Sequence, residues 1–268
     1  MNTIPKMIHY CWFGRNPLPD SAEKCIASWR KYFPDYVIKE WNEDNFDVYA
    51  ITYTAEAYAA KKYAFVSDYA RFWFLYKYGG LYFDTDVEVI RSMDDIIERG
   101  PFMGCEKPYV EGAAPKTLGV APGLGLGCNP GLGLLKEILD EYEKYNFHKP
   151  NGSLNLTTIV EYTTSILCKH GLQNTPEIQY VADFYIYPSE YFSPKNVDTR
   201  ALVITANTRS IHHYDATWAS KASRKAGERA PWLKKMLGEK LGGVINGIIF
   251  WLQEYGGWGS MKRIFTKR

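Results

Sequence analysis

The chain has 268 residues, of which 46% are hydrophobic and 23% charged, with 32 Lys or Arg against 30 Asp or Glu and a formal net charge of +2. This is the composition of a soluble globular protein with room for one sizeable core. Five scattered cysteines, Cys11, Cys25, Cys105, Cys128 and Cys168, form no C-x-x-C pair and fit a reducing compartment.

The net charge conceals a split. Residues 219–268 hold 11 Lys or Arg and 3 Asp or Glu, or +8, which leaves 21 basic and 27 acidic residues, or −6, in residues 1–218. Usage of 21 Tyr and 8 Trp is high, and suits stacking on rings as well as core filling. The stretch from Met1 to Tyr10 has no charged leader followed by an apolar run, so the expected location is the cytosol.

In chain order, the apolar run Lys6 to Phe13 predicts a buried parallel strand, followed by a Gly-Arg-Asn-Pro-Leu-Pro turn. Asp20 reads as a helix cap. Ala22, Cys25, Ile26 and Trp29 then recur at helical spacing up to Pro34, before a second run at Tyr36 to Trp41. Strand, helix and strand in this order predict a parallel sheet with helices on its faces.

From Ala55 to Tyr78 the chain lacks Gly and Pro, and Phe65, Tyr69, Phe72 and Tyr76 fall on one helical stripe, which predicts a single helix ending at Gly79-Gly80. Leu81 to Ile90 then predicts one strand, with Leu81, Phe83, Val87 and Val89 on one face and Tyr82, Asp84, Asp86 and Glu88 on the other. The glycine- and proline-rich residues 112–133 predict a long irregular loop that matches neither G-x-G-x-x-G nor G-x-x-x-x-G-K-[ST]. Helices over Leu132 to Tyr145 and Leu154 to His170, and strands at Tyr180 to Tyr187 and Ala201 to Ala206, complete the expected α/β domain of residues 1–218. Residues 219–268 are expected to be a basic helical tail. Its apolar run Gly243 to Gln253 is shorter than the roughly 20 residues a membrane-spanning helix needs, but with flanking lysines and arginines it can lie in a headgroup region.

Asp84-Thr85-Asp86 ends an apolar run at the expected C-terminal edge of the sheet, where open α/β folds bind ligands. Two carboxylates at i and i+2 of an extended chain project the same way, roughly 6 to 7 Å apart, and can share one divalent cation such as Mn²⁺ or Mg²⁺. Upstream, Asp68 and Arg71 share a helix face, and Arg offers a planar fork of donors for a phosphate. Near the end, His212 and His213 point to opposite sides of extended chain, so one of the two is expected at a site, where a neutral imidazole can bind metal.

These residues lie in three segments, IPKMIHYCWFG, FVSDYARFWFLYKYGGLYFDTDVEV and HHYDATW, spread over about residues 4–218. Together they resemble the glycosyltransferase family with a DXD sugar-binding region. That family includes the initiation-specific α-1,6-mannosyltransferase and capsular polysaccharide or lipopolysaccharide sugar transferases, and is distantly similar to clostridial toxin glucosyltransferase domains. The resemblance implies a GT-A type fold and retaining transfer of a hexose from a UDP- or GDP-linked sugar to a glycan or lipid-linked acceptor. By the same resemblance Asp84 would contact ribose and sugar, Asp86 would bind the metal, and Asp68 and Arg71 would hold the donor sugar and its phosphate. Tyr10 and Trp12 would flank the base, Trp218 would line the donor site, and His212 is preferred over His213 as third ligand. Thr217-Trp218 stands where relatives often have Ser-Trp, which keeps a hydroxyl.

Retention could use front-side attack, which is favoured here, or an enzyme nucleophile such as Glu106 or Asp183. The alternative function is a nucleotide-sugar-binding subunit without transfer activity. No recognised nucleic-acid-binding module accompanies the basic tail, whose expected partner is an anionic membrane surface, with the protein peripheral on the inner membrane face.

Overall fold

A computed structural model of the protein describes residues 3–196, 199–215 and 221–255. The chain divides into two compact units, one of residues 1–196 with 201–213, the other of residues 197–200 with 214–268.

The larger unit is built on a seven-stranded sheet. Its elements begin with β1 (Met7–Cys11), α1 (Asp20–Tyr32), β2 (Val37–Trp41), α2 (Thr52–Ala59), α3 (Tyr63–Tyr78), β3 (Gly80–Tyr82) and β4 (Val87–Val89). They continue with α4 (Asp94–Arg99), β5 (Phe102–Gly104), β6 (Leu126–Cys128), α5 (Gly133–Glu143), α6 (Ile159–Lys169), β7 (Gln179–Val181), β8 (Phe184–Tyr187) and β9 (Ser210–His212). The strand order is β2-β1-β3-β6-β5-β8-β7, while β4 and β9 form a separate antiparallel pair. Strands β2, β1 and β3 are parallel, β6 runs against both β3 and β5, β8 follows β5, and β7 turns back on β8. The sheet is therefore mixed and mostly parallel.

Helices cover both faces, because alternate strand residues feed two cores. Tyr82, Met103 and Ile186 pack with residues of α2, α3, α5 and α6, whereas Leu81, Phe102 and Tyr187 pack with α1 and α4. This is the α/β class expected from the sequence.

Several element expectations are corrected. The helix expected from Ala55 to Tyr78 is two helices. Lys61 adopts a left-handed backbone, and the amides of Lys61 and Lys62 close onto the carbonyls of Tyr58 and Ala57. No Gly or Pro marks that break. Asp20 is the first residue of α1 rather than its cap, which is Pro19. The helix expected from Leu154 starts at Ile159, where Thr158 and Glu161 form a reciprocal capping box.

The single strand expected from Leu81 to Ile90 is divided between two sheets. A turn in which the Val87 amide donates to the Asp84 carbonyl at 3.0 Å separates β3 from β4. The loop expected over residues 112–133 holds a 3-10 turn and the central strand β6. Gly127 on β6 has no room for a side chain, since a Cβ would run into the Phe102 ring. The strand expected at Tyr180 to Tyr187 is a hairpin turning at Ala182 and Asp183, both with positive φ. Residues 201–206 make an isolated bridge from Leu202 to Lys195 instead of a strand.

The smaller unit contains α7 (Lys221–Leu237) and α8 (Glu239–Tyr255). Among the described residues, no helix is long and apolar enough to cross a membrane.

Candidate active site

The site forms beyond the C-terminal ends of β1 and β3, where a parallel sheet opens a crevice at its edge. Gly79 and Gly80, both with positive φ, let α3 reverse into β3, so that Ser67, Asp68 and Arg71 on the helix stand beside the turn following the strand.

Arg71 is the hub. Its Nη2 donates to Asp68 Oδ1 at 2.9 Å, its Nε donates to the Ser67 carbonyl at 3.2 Å, and its Nη1 lies 3.3 Å from Asp84 Oδ1. The guanidinium also stacks 4.6 Å from the Tyr82 ring centroid. Arg71 and Asp68 are 4% and 8% exposed, so they form a buried ion pair rather than a surface one. Burial lifts the Asp68 carboxyl to about 7, with Arg71 opposing and Asp84 adding to the shift. Burial alone would lower the Arg71 pKa, but Asp84, Tyr82 and Asp68 outweigh it and keep the guanidinium charged.

Asp84 is fixed at three points. Its amide donates to the Gly123 carbonyl at 2.9 Å, its Oδ1 accepts the Tyr82 hydroxyl at 2.7 Å, and the same oxygen faces Arg71. A Cβ at Gly123 would run into Asp84 Oδ2 and lie 3.0 Å from Arg71 Nη1, so only glycine leaves this carboxylate edge clear.

Asp86 reaches the site through the β4–β9 pair. Val87 stands opposite His212, and the His213 amide donates to the Asp86 carbonyl at 2.9 Å. His212 Nε2 then lies 3.1 Å from Asp86 Oδ1. Burial would lower the His212 pKa, but Asp86 raises it more, with help from Asp84 and Glu106. Asp84, Asp86 and His212 each offer one ligand atom, all within 4.8 Å of one another.

Asp68, Arg71, Asp84, Asp86 and His212 are thus in one place. His213 is not with them: it faces the other way and its Nε2 lies 2.9 Å from Glu88 Oε2, because neighbouring side chains of an extended segment diverge. Tyr10 is 7% exposed, with its hydroxyl donating to Glu40 and its ring edge-on to Trp29. Trp12 is half-buried and its indole nitrogen donates to the Asn16 carbonyl. Trp218 lies outside the described residues. Of the two nucleophile candidates, Glu106 follows β5 and acts electrostatically on His212, while Asp183 is exposed in the turn before β8, at the opposite edge of the sheet. That position corrects the Asp183 expectation.

Tyr82 and Gly123 were missed by the sequence reading. Tyr82 shares the predicted strand face with Asp84, a signal that was present. Gly123 was one glycine among many in an apparent loop.

Residues 19–103 match the family model described as a glycosyltransferase sugar-binding region containing a DXD motif. The chain is 26% identical over 114 residues to inositol phosphoceramide mannosyltransferase 1 of Schizosaccharomyces pombe (strain 972 / ATCC 24843), covering 38% of this chain and 34% of that protein. It is 27% identical over 128 residues to inositol phosphoceramide mannosyltransferase 3 of the same organism, covering 45% and 34%. The chain thus spans about a third of the length of the curated relatives it matches. Among solved structures it is similar to PaToxG glycosyltransferase, with a TM-score of 0.45 and 17% identity over 62% of this chain and 70% of that one. It is also similar to a glycosyltransferase involved in glycosylation of the major capsid of PBCV-1, with a TM-score of 0.47 and 11% identity over 84% and 100%. The matched residues 19–103 carry Asp68, Arg71, Asp84 and Asp86.

Proposed function

We propose that this protein is a metal-dependent retaining glycosyltransferase that moves a hexose from a nucleoside diphosphate sugar to a glycan or lipid-linked saccharide. The observation that carries the reading is the convergence of Asp84, Asp86 and His212 within 4.8 Å, next to the buried Asp68–Arg71 pair. Two carboxylates and an imidazole suit a small divalent cation, Mn²⁺ or Mg²⁺, that keeps positions open for water or phosphate oxygens. When bound, such a cation offsets the charge that develops on a departing diphosphate.

The protein's own residues do the rest. Arg71, positioned by Asp68 and the Tyr82 ring, presents its Nη1 to the same region, where that atom makes no hydrogen bond. It is placed to receive a phosphate or sugar oxygen, and burial spares it reorganisation during reaction. Asp84, held by Tyr82 and Gly123, orients ribose and sugar hydroxyls. Front-side attack within an ion pair is the route we assign, since it needs no protein nucleophile; Glu106 is the side chain that a double displacement would use. The basic residues of 219–268 favour work beside an anionic membrane, at its inner face.

The relatives are named as mannosyltransferases, so a mannosyl donor is the first to test. Hydrolysis of a panel of GDP- and UDP-sugars with Mn²⁺, compared between the native chain and Asp86→Ala, checks the reading. Turnover of one donor that disappears with the substitution or with chelator supports it. A panel neither hydrolysed nor bound would sink the donor site.

A further inference from the structure

The C-terminal helices bury Leu233 and half-bury Ile245, Ile249, Phe250 and Trp251, but present a second set of apolar side chains outward. On α8, Leu241, Val244, Ile248 and Leu252 recur at i, i+3, i+7 and i+11, which is one stripe of a helix, and on α7 Trp232 and Met236 recur at i and i+4. These six side chains are 45% to 62% exposed. In helices α1 to α6, among the described residues, no large apolar side chain is as open, Tyr78 at 39% coming nearest.

The contacts between the two helices explain why the stripe stays outside. α8 turns its small and polar residues toward α7. Gly242 sits where a Cβ would lie 2.6 Å from the Leu233 carbonyl oxygen. Asn246 accepts from Arg229 Nε at 3.0 Å and donates to the Ala226 carbonyl at 2.9 Å, and Gln253 accepts from Arg229 Nη1. A helix pair that met water alone would carry polar residues on that outer stripe.

We propose that the α7–α8 hairpin is an interfacial wedge for an anionic lipid surface. Its apolar stripe enters the boundary between headgroups and acyl chains, while the exposed Lys235 and Lys240 meet the lipid charge. Lys234, paired with Glu239 at 2.9 Å, stands beside them. The 17 residues of α8 give about 25 Å of helix, suited to lying in the plane of the interface. Charge selects lipid over a protein partner, since α7 and α8 together carry seven Lys or Arg against three Glu, an excess of +4 beside the apolar face. The inference deepens the proposed function and rests on it only for the lipid-linked acceptor.

The full chain is sedimented with phosphatidylcholine vesicles with and without phosphatidylglycerol, alongside a Leu241→Ser/Ile248→Ser variant and a Lys235→Glu/Lys240→Glu variant. Donor hydrolysis without vesicles is measured on all three. The expected result is binding of the native chain that requires phosphatidylglycerol, weakened at least about tenfold in each variant, with hydrolysis unchanged. Absence of native binding would overturn the wedge, as would binding lost only in the lysine variant, which means surface charge without insertion. Native self-association abolished by Leu241→Ser/Ile248→Ser, without vesicle binding, would also overturn it and assign the face to a second copy. Vesicle binding with no donor hydrolysed or bound would leave the wedge standing and remove the transferase reading.

Discussion

Asp86 and His212 lie 126 positions apart in the chain, yet the His212 Nε2 atom stands 3.1 Å from Asp86 Oδ1. The antiparallel β4–β9 pair sets His212 opposite Val87, next to Asp86, and so closes the triad with Asp84.

His212→Ala is expected to weaken Mn²⁺ binding by roughly 10- to 100-fold, and Asp86→Ala to reduce donor turnover by roughly 100-fold or more. Glu88→Gln, which touches His213 on the other side, should change neither. Calorimetric titration of Mn²⁺ and donor hydrolysis on the three variants test this. Loss of metal binding with Glu88→Gln would place the ion elsewhere.

Above pH 7, where the Asp68 carboxyl is ionised, Arg71→Met leaves it buried without its counter-charge. Removing one partner of a buried pair costs about 3–5 kcal/mol of stability, and the double variant with Asp68→Asn should recover part of it. Urea unfolding of the single and double variants measures the coupling. Equal stability of native protein and Arg71→Met would mean that the pair is solvated.

Gly123→Ala should spare the fold and damage the site, because the added methyl meets the far ends of Asp84 and Arg71 rather than backbone. A displacement of about 1 Å at a reacting centre can cost about 100-fold in rate. Thermal unfolding near that of the native protein with strongly reduced donor turnover is the expected pattern. Native turnover would show that Asp84 does not need that edge open.

Two buried groups give opposite pH dependences. His9 donates from Nε2 to the Gly79 carbonyl and accepts the Trp41 indole proton at Nδ1, an arrangement only the neutral ring can make. Burial is the main cause that lowers its pKa to about 4, so below pH 6.5 the unfolded chain takes up a proton the folded one refuses. Stability from this group therefore falls as pH drops from 6.5 to 4, by up to about 3 kcal/mol. Asp68, raised by burial to about 7, acts in reverse: the folded chain keeps a proton that the unfolded one has lost, so its contribution falls as pH rises toward 7. Chemical denaturation from pH 4 to 7 should show stability falling with pH in His9→Gln and rising with pH in Asp68→Asn. Parallel profiles for the two variants would refute the assignment.

The α/β class, the helix carrying Asp68 and Arg71, the Gly79-Gly80 reversal and the placement of Asp84 and Asp86 after a strand are legible in the sequence. All of these depend on local pattern: helical spacing, paired glycines, and an apolar run interrupted by carboxylates. Tertiary structure alone decided where one strand became two, because the Asp84–Val87 turn is fixed by pairing with β9 and by the Gly123 carbonyl, both remote in sequence. It likewise decided that β6 is a central strand despite its glycines, since crowding against Phe102 calls for a residue without a side chain. It decided which of the two diverging histidines, His212, joins the carboxylates, through the facing of β9, and put Asp183 at the far edge of the sheet through the direction of β8. Long-range pairing sets such relations, and no window of neighbouring residues contains them.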